Sequence, residues 1–278
     1  MDESLEVKAN ATEALLYNKR DGVATLTLNR PAVKNALTTE MFVELERHLI
    51  DIEADQEVRV VVLTGTRNSF CAGADLNQES REERRRVQGV LFAGDTGGDI
   101  LERGNRCILR LQKLPKPVLA SLGGDAVGIG CSLALAADLR IAADTARMGV
   151  VFSKIGLGPD GGASYFLNKL VGSAKALELL FLGDLLSAQG ALELGLLSRV
   201  VPVQSLAEET AQLAKQLANG PTLAYGLAKA AVYQSDYQPL ENILDVEARS
   251  QRVISRSHDA KEGIKAFLER RKPDYQGL

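Results

Sequence analysis

The chain has no tryptophan, two histidines and three cysteines among 278 residues, and aromatic side chains make up 5% of it. His48 and His258 leave few candidates for a Ser-His-Asp triad, and neither lies near a nucleophile elbow. Cys71, Cys107 and Cys131 form no CxxC pair. So sparse and odd a count argues against a disulfide frame and, with so little histidine, against a metal site. No run reaches the ~18 apolar residues of a membrane helix. The most apolar stretch, Leu177 to Leu186, is broken by Glu178, Gly183 and Asp184. An excess of positive charge is missing too. Lys and Arg number 33 against 36 Asp and Glu, a net charge of −3. Nucleic-acid binders usually carry a basic stripe, so no nucleic-acid partner is expected. The run Arg81 to Arg86 reads as a solvated helix face. The acidic start, Met1-Asp2-Glu3-Ser4, is neither a secretory nor a transit signal, and Gln276-Gly277-Leu278 is not a peroxisomal address. The expectation is a cytoplasmic protein without a membrane partner.

What is present is ordinary for a globular chain: 45% apolar, 25% charged residues. Residues before about 15 read as a loose lead-in. Val23–Leu28 reads as a strand ended by Asn29-Arg30-Pro31. Thr38 or Thr39 caps a helix carrying Met41, Leu45 and Leu49. Val58–Leu63 is the near-continuous apolar run of a strand buried on both faces. Asn68 to Leu76 reads as a loop entering a helix, and 77–105 is the hardest stretch to place. Pro117–Leu122 is a strand, and Gly123–Cys131 opens a helix through Ala137. Leu139–Ala142 is a short strand, and Val151–Ser164 a turn-rich stretch before a helix. From Ala174 the chain is mainly helical, with Ser187 as a cap, Gly195–Pro202 as an extended return and a last helix from Asp259 to about Arg271. The order is repeated strand–strand–helix units, then helices.

Two glycine turns stand out: Ala72-Gly73-Ala74-Asp75 and Gly128-Ile129-Gly130-Cys131. Where a loop enters a helix, the first N–H groups lack partners and the dipole favours negative charge. Two such termini could hold one developing oxyanion. A dinucleotide reading fails, because Leu133 stands where GxGxxG needs its third glycine, and no Walker pattern occurs. Asp160, in Gly158-Pro159-Asp160-Gly161-Gly162, is either an ordinary turn residue or a catalytic carboxylate.

Taken together, Leu28-Asn29-Arg30-Pro31, Asn35-Ala36-Leu37, Ser69–Leu76 (SFCAGADL), Lys116-Pro117-Val118, Gly128–Cys131, Ala137–Ala142 (ADLRIA) and Glu262–Arg271 resemble the crotonase superfamily, the enoyl-CoA hydratase/isomerase family. The resemblance spans about residues 15–275. It implies an α/β fold: a crotonase-like spiral of ββα units over 1–200, then a C-terminal helical trimerisation region over 201–278. It implies an acyl-CoA thioester as ligand, coenzyme A arriving as part of the substrate with no separate cofactor, and a homotrimer or dimer of trimers. By position the oxyanion hole would be the N–H groups of Ala74 and Ile129. Lys34, Ala36, Ala72, Asp75 and Leu76 fall where the family contacts CoA. Phe267 and Arg270 fit its C-terminal CoA contacts, sometimes made by a neighbouring subunit.

The departures from the family pattern select the chemistry. Hydratases of the family use two glutamates, and those positions here are Ser132 and Phe152. Two-carboxylate hydration is therefore not expected. The run Phe152–Asp160 (FSKIGLGPD) resembles the isomerase branch that includes the ring-epoxide (1,2-epoxyphenylacetyl-CoA) isomerases, where the equivalent of Asp160 is the acid/base. Phe152, Leu157 and Phe166 are the nearest apolar candidates to surround it. Ile155-Gly156-Leu157-Gly158-Pro159-Asp160 also resembles 4-chlorobenzoyl-CoA dehalogenases, which need a Trp where this chain has Phe152 and a His in the variable segment, whereas this chain has no Trp and no His between His48 and His258. A thioester hydrolase, a C–C lyase or a non-catalytic CoA- or RNA-binding member are the other readings. Val90, Leu91, Phe92, Ile100 and Leu101 are candidates to line the acyl end of the pocket.

Overall fold

Alternation and burial set out the strands. In β2 (Val23–Leu28) the even positions Ala24, Leu26 and Leu28 are buried and the odd ones half-exposed, the period of a half-covered strand. In β3 (Val60–Gly65) four consecutive residues are buried, as a central parallel strand requires. The computed structural model describes residues 13–76 and 100–278.

Asp21 and Gly22 both take positive φ, 51° and 77°, and close a tight hairpin between β2 and β1 (Leu15–Arg20). The residues directly after the expected lead-in, to which the sequence reading assigns no element, thus form an edge strand, signalled by the Asp-Gly pair. Helix α1 (Thr39–Ala54) starts where expected: the Thr38 hydroxyl accepts from the Met41 N–H at 3.3 Å. Its Met41, Phe42, Leu45, Leu49 and Ile52 face the core, each worth about 1.5–3 kcal/mol of burial. Lys116 closes its other end, its ammonium donating to the Ile52 and Asp55 carbonyls at 2.5 Å each.

Two sheets result. One has the order β1-β2-β3-β5-β7-β10, with β5 Val118–Leu122, β7 Leu139–Ala143 and β10 Arg199–Val201. It is parallel except for β1 against β2. The other is β4-β6-β8-β9, with β4 Ser69–Cys71, β6 Asp125–Val127, β8 Arg147–Gly149 and β9 Leu186–Ser187. Each turn of the spiral lays one strand in the large sheet and the next in the small one: β3 then β4, β5 then β6, β7 then β8. Helices α2 (Ile100–Lys113), α3 (Ile129–Leu135) and α4 (Ala163–Leu182) follow those turns. This is the α/β ββα spiral. No sequence pattern predicts the strands at Ser69–Cys71 and Asp125–Val127. Three-residue strands beside glycines are too short to show a period. The helix expected after Leu76 lies outside the described residues, as do Val90, Leu91, Phe92 and the Arg81–Arg86 run.

The remaining helices are α5 (Ala188–Glu193), α6 (Leu206–Ala218), α7 (Thr222–Gln234), α8 (Leu240–Ile254) and α9 (His258–Glu269). Leu206, Ala214 and Ala218 of α6 join the main core, whereas α7 to α9 form the C-terminal helical region. Asp138 anchors α7. Its carboxylate accepts from the Val118 N–H at 2.7 Å, Lys229 Nζ at 2.9 Å and Tyr233 Oη at 2.6 Å. The neighbouring Arg140 is buried and donates Nε to the Leu196 carbonyl at 2.7 Å and Nη1 to the Leu135 and Ala137 carbonyls. The Lys-Pro-Val and Asp-Leu-Arg motifs are therefore struts of the fold. Among the described residues no helix is long and apolar enough to cross a membrane.

Candidate active site

The small sheet brings the two glycine turns together. β4 and β6 pair in parallel, Cys71 opposite Ala126, so the segments leaving their ends run side by side. A β-carbon added at Gly128 would lie 4.0 Å from Gly73 Cα and 3.8 Å from Phe152 Cε1. Ile129 opens α3, and Gly130 sits so tightly on Cys71 that an added β-carbon would be 2.7 Å from the Cys71 carbonyl oxygen. Among the described residues neither the Ala74 N–H nor the Ile129 N–H has a hydrogen-bond partner. The thiols of Cys71 and Cys131 are buried and pushed up to about 12, so they stay protonated.

The strip 34–37 fixes the first turn. Leu37 and Ala74 form a parallel bridge; Leu37 N–H donates to Gly73 O at 2.8 Å and Asp75 N–H to Leu37 O at 2.9 Å. Ala72 N–H donates to Lys34 O at 2.9 Å. Arg30 Nη1 holds both sides, 2.8 Å from the buried Asp75 carboxylate and 2.7 Å from Ala36 O. The Asp75 side chain is thus turned to Arg30, the Lys34 side chain is exposed, Ala36 is buried and Leu76 is 43% exposed.

Sequence reasoning gave no role to Asn35, which organises this strip. It is fully buried at φ 59°, a left-handed conformation Asn tolerates better than most residues. Its Oδ1 accepts from the Arg30 N–H at 2.9 Å and Thr66 Oγ1 at 3.1 Å; its Nδ2 donates to Thr66 O at 3.1 Å and Ser69 O at 2.9 Å. The signal available was an Asn directly after a Pro-bounded turn. Asn35→Ala strands these buried groups and keeps the φ strain, so a loss of about 2–4 kcal/mol is expected from the urea midpoint. An unchanged midpoint would contradict this reading of the strip.

Asp160 lies on the loop between the 3-10 turn Val151–Ile155 and α4. Its Oδ1 is, among the described residues, the one buried side-chain oxygen or nitrogen with no hydrogen-bond partner. Burial alone raises its pKa to about 6. Of the three apolar candidates for its surroundings, Phe152 and Phe166 are buried and Leu157 is 53% exposed. The loop is pressed onto α3: Gly161 takes φ 55°, and an added β-carbon there would be 2.9 Å from Ser132 Cβ and 3.1 Å from Ile129 Cγ1. Ser132 itself is fully buried and donates its hydroxyl to the Asp160 carbonyl at 2.9 Å. Thus one helical turn carries the Ile129 N–H and holds the Asp160 backbone.

Phe267 and Arg270 stand apart on α9. Phe267 is 82% exposed, and Arg270 ends the helix at φ 55°. The polar contacts of α9 run to the chain's end: Asp259, buried, accepts from the Gln276 and Gly277 N–H groups at 2.7 Å each. The histidines are elsewhere, His48 stacked on Tyr17 at 4.8 Å and His258 beside Asp259.

A ββα spiral with converging turns whose two N–H groups are unpaired among the described residues, and a partly desolvated Asp160 on the loop packed against one of those turns, define a class. The chain belongs to the enoyl-CoA hydratase/isomerase family, whose model matches residues 18–277, and it is an enzyme of that family. It is similar to 1,2-epoxyphenylacetyl-CoA isomerase of Escherichia coli K12, 41% identical over 95% of this chain and 99% of that one. It is also similar to 2,3-dehydroadipyl-CoA hydratase of the same organism, 34% identical over 95% and 98%. Among solved structures, an enoyl-CoA hydratase from Bacillus anthracis superposes with a TM-score of 0.88 at 32% identity, covering 96% of this chain and 100% of that chain.

Proposed function

We propose that the protein is an acyl-CoA isomerase that moves a double bond, or opens a ring epoxide, by enolate chemistry with Asp160 as its one acid/base. The observation that carries this is Asp160: its carboxylate oxygen Oδ1 is buried without a partner among the described residues, its pKa is raised to about 6, and its backbone carbonyl is tied by Ser132 to the helix turn that presents the Ile129 N–H. A base near the working pH combines adequate ionisation with useful basicity. The 41% identity to a ring-epoxide isomerase supports the choice. So do Ser132 and Phe152, neither of which can activate water as a carboxylate does.

In this reading the acyl-CoA thioester lies along the 34–37 and 72–76 strip, with Lys34, Ala36, Ala72, Asp75 and Leu76 at its CoA end. The thioester oxygen sits between the Ala74 and Ile129 N–H groups. Asp160 removes the proton on the carbon next to the thioester carbonyl of a 3-enoyl-CoA. The electron pair shifts into the carbonyl, and the resulting dienolate oxygen is held by the two N–H groups. Asp160 then returns the proton to the far end of the dienolate, which leaves the 2-enoyl-CoA and a regenerated carboxylate. No water is consumed. The exposed apolar side chains of α9, Ile264, Phe267 and Leu268, support a homotrimer or dimer of trimers in which Phe267 and Arg270 serve a CoA site.

The test is ultraviolet absorbance of the purified protein mixed with a 3-enoyl-CoA. Conjugated thioester accumulating with turnover is the expected result. Silence with this substrate and with a ring-epoxide acyl-CoA would remove the isomerase reading.

A further inference from the structure

Resting on the reading of Asp160 as the acid/base, we infer that Ser132 is a positioning residue, whose hydroxyl locks the Asp160 loop onto the same helical turn that presents the Ile129 N–H. A serine inside a helix has an alternative partner in the carbonyl one turn back. Here that carbonyl, Gly128 O, is 3.4 Å from Oγ, whereas the Asp160 carbonyl is at 2.9 Å. The hydroxyl is therefore turned outward, across 28 residues of sequence, to the loop. It is fully buried, so it must take a protein partner. Gly161, the next residue, has room for no β-carbon against Ser132 and Ile129, so the loop has one seat on this turn. The base and one oxyanion donor consequently share a single rigid support. The distance between the proton to be moved and the oxygen to be stabilised is set there, and small errors in it cost turnover steeply.

The position where the family's hydratases carry a glutamate is in this chain given to the backbone of the remaining carboxylate. The Asp160 carbonyl also accepts from the Ala163 N–H at 3.0 Å. Ser132→Ala therefore leaves that carbonyl paired and the fold intact, and frees the loop. No ionised group faces Asp160 from the elements packed against it among the described residues. The first turns of α3 and α4, Ile129–Ser132 and Ala163–Phe166, carry none, and Lys154 of the preceding turn is exposed and paired with Asp184 at 3.2 Å.

The experiment is kcat and KM of wild type and Ser132→Ala with a 3-enoyl-CoA from about pH 4 to 9, with thermal midpoints and Asp160→Asn measured alongside. Expected for Ser132→Ala are a kcat lower by about 10- to 100-fold, a KM within about two-fold, and an acid limb moved below about 6 as water reaches the carboxylate. A wild-type kcat and acid limb, whatever the thermal midpoint, would reduce Ser132 to a packing residue and overturn the inference. A lower kcat with an unmoved acid limb would place the fault in the Ile129 turn and overturn it too. Asp160→Asn separates the two readings. If that variant is inert, a normal Ser132→Ala refutes positioning alone; if it is active, the acid/base assignment falls first.

Discussion

Asp160→Asn is expected to lower kcat on a 3-enoyl-CoA by about 10²–10⁴-fold, the range for removing a general acid/base, with KM for the thioester little changed. The amide fills the same volume, so the strip at 34–37 and 72–76 and the two N–H groups keep their places. The same variant is expected to be more stable than wild type at neutral pH. Burial raises the carboxyl from 3.8 to about 6, so the folded protein holds this proton more tightly than the unfolded chain. Its stabilising effect is full below the unfolded value and disappears as pH rises through the folded one. Above about pH 6 the ionised carboxylate therefore weighs against folding. Two pKa units correspond to about 3 kcal/mol, and partial exposure reduces that to about 1–2 kcal/mol. A urea midpoint for Asp160→Asn that exceeds wild type at pH 8 and converges with it at pH 4 is the expected pattern. Equal kcat would dispose of the acid/base role, and equal midpoints at both pH values would dispose of the desolvated carboxylate. The wild-type rate should accordingly rise with pH through about 6.

Gly130→Ala carries the second large effect. The added carbon would meet the Cys71 Cβ, Sγ and carbonyl oxygen at 2.7 Å each. A side chain could shift aside, but the carbonyl belongs to β4 and cannot. Helix α3 must then move off the small sheet, taking the Ile129 N–H away from the Ala74 N–H. Overpacking of this kind costs about 1–3 kcal/mol, and loss of one oxyanion donor about 10²–10³ in kcat. The variant should fold, by circular dichroism, with a lowered thermal midpoint and a kcat down by that factor. A variant with a lowered midpoint and full activity would show that the separation of the two turns does not govern turnover.

The inner strands of the large sheet were legible because they are long enough to show their burial: Val23–Leu28 alternates and Val60–Leu63 runs apolar throughout, whereas the edge strand Leu15–Arg20 was not. The small sheet was not, since Ser69–Cys71 and Asp125–Val127 have three residues each and, among the described residues, pair with each other and with Arg147–Gly149. The candidate site was legible as types of residue, the two glycine turns and Asp160. It was not legible as contacts. That Ser132 reaches the Asp160 carbonyl, and that Asn35 ties Arg30 to Thr66 and Ser69, depends on approaches across 28 to 34 residues that carry no local pattern. Asp75 shows the same limit, because its carboxylate goes to Arg30. Proximity in sequence does not reveal burial either: the left-handed Gly156 turns the chain and leaves Leu157 exposed, whereas Phe152 is buried.

The central claim is that one carboxylate moves a proton and no water is added. It is tested most directly by incubating the enzyme with a 2-enoyl-CoA in ¹⁸O-labelled water and weighing the thioesters. The account predicts an unchanged mass, with any conversion confined to isomers. A product heavier by one labelled water would show hydration without the two glutamates, and would contradict the inference drawn from Ser132 and Phe152.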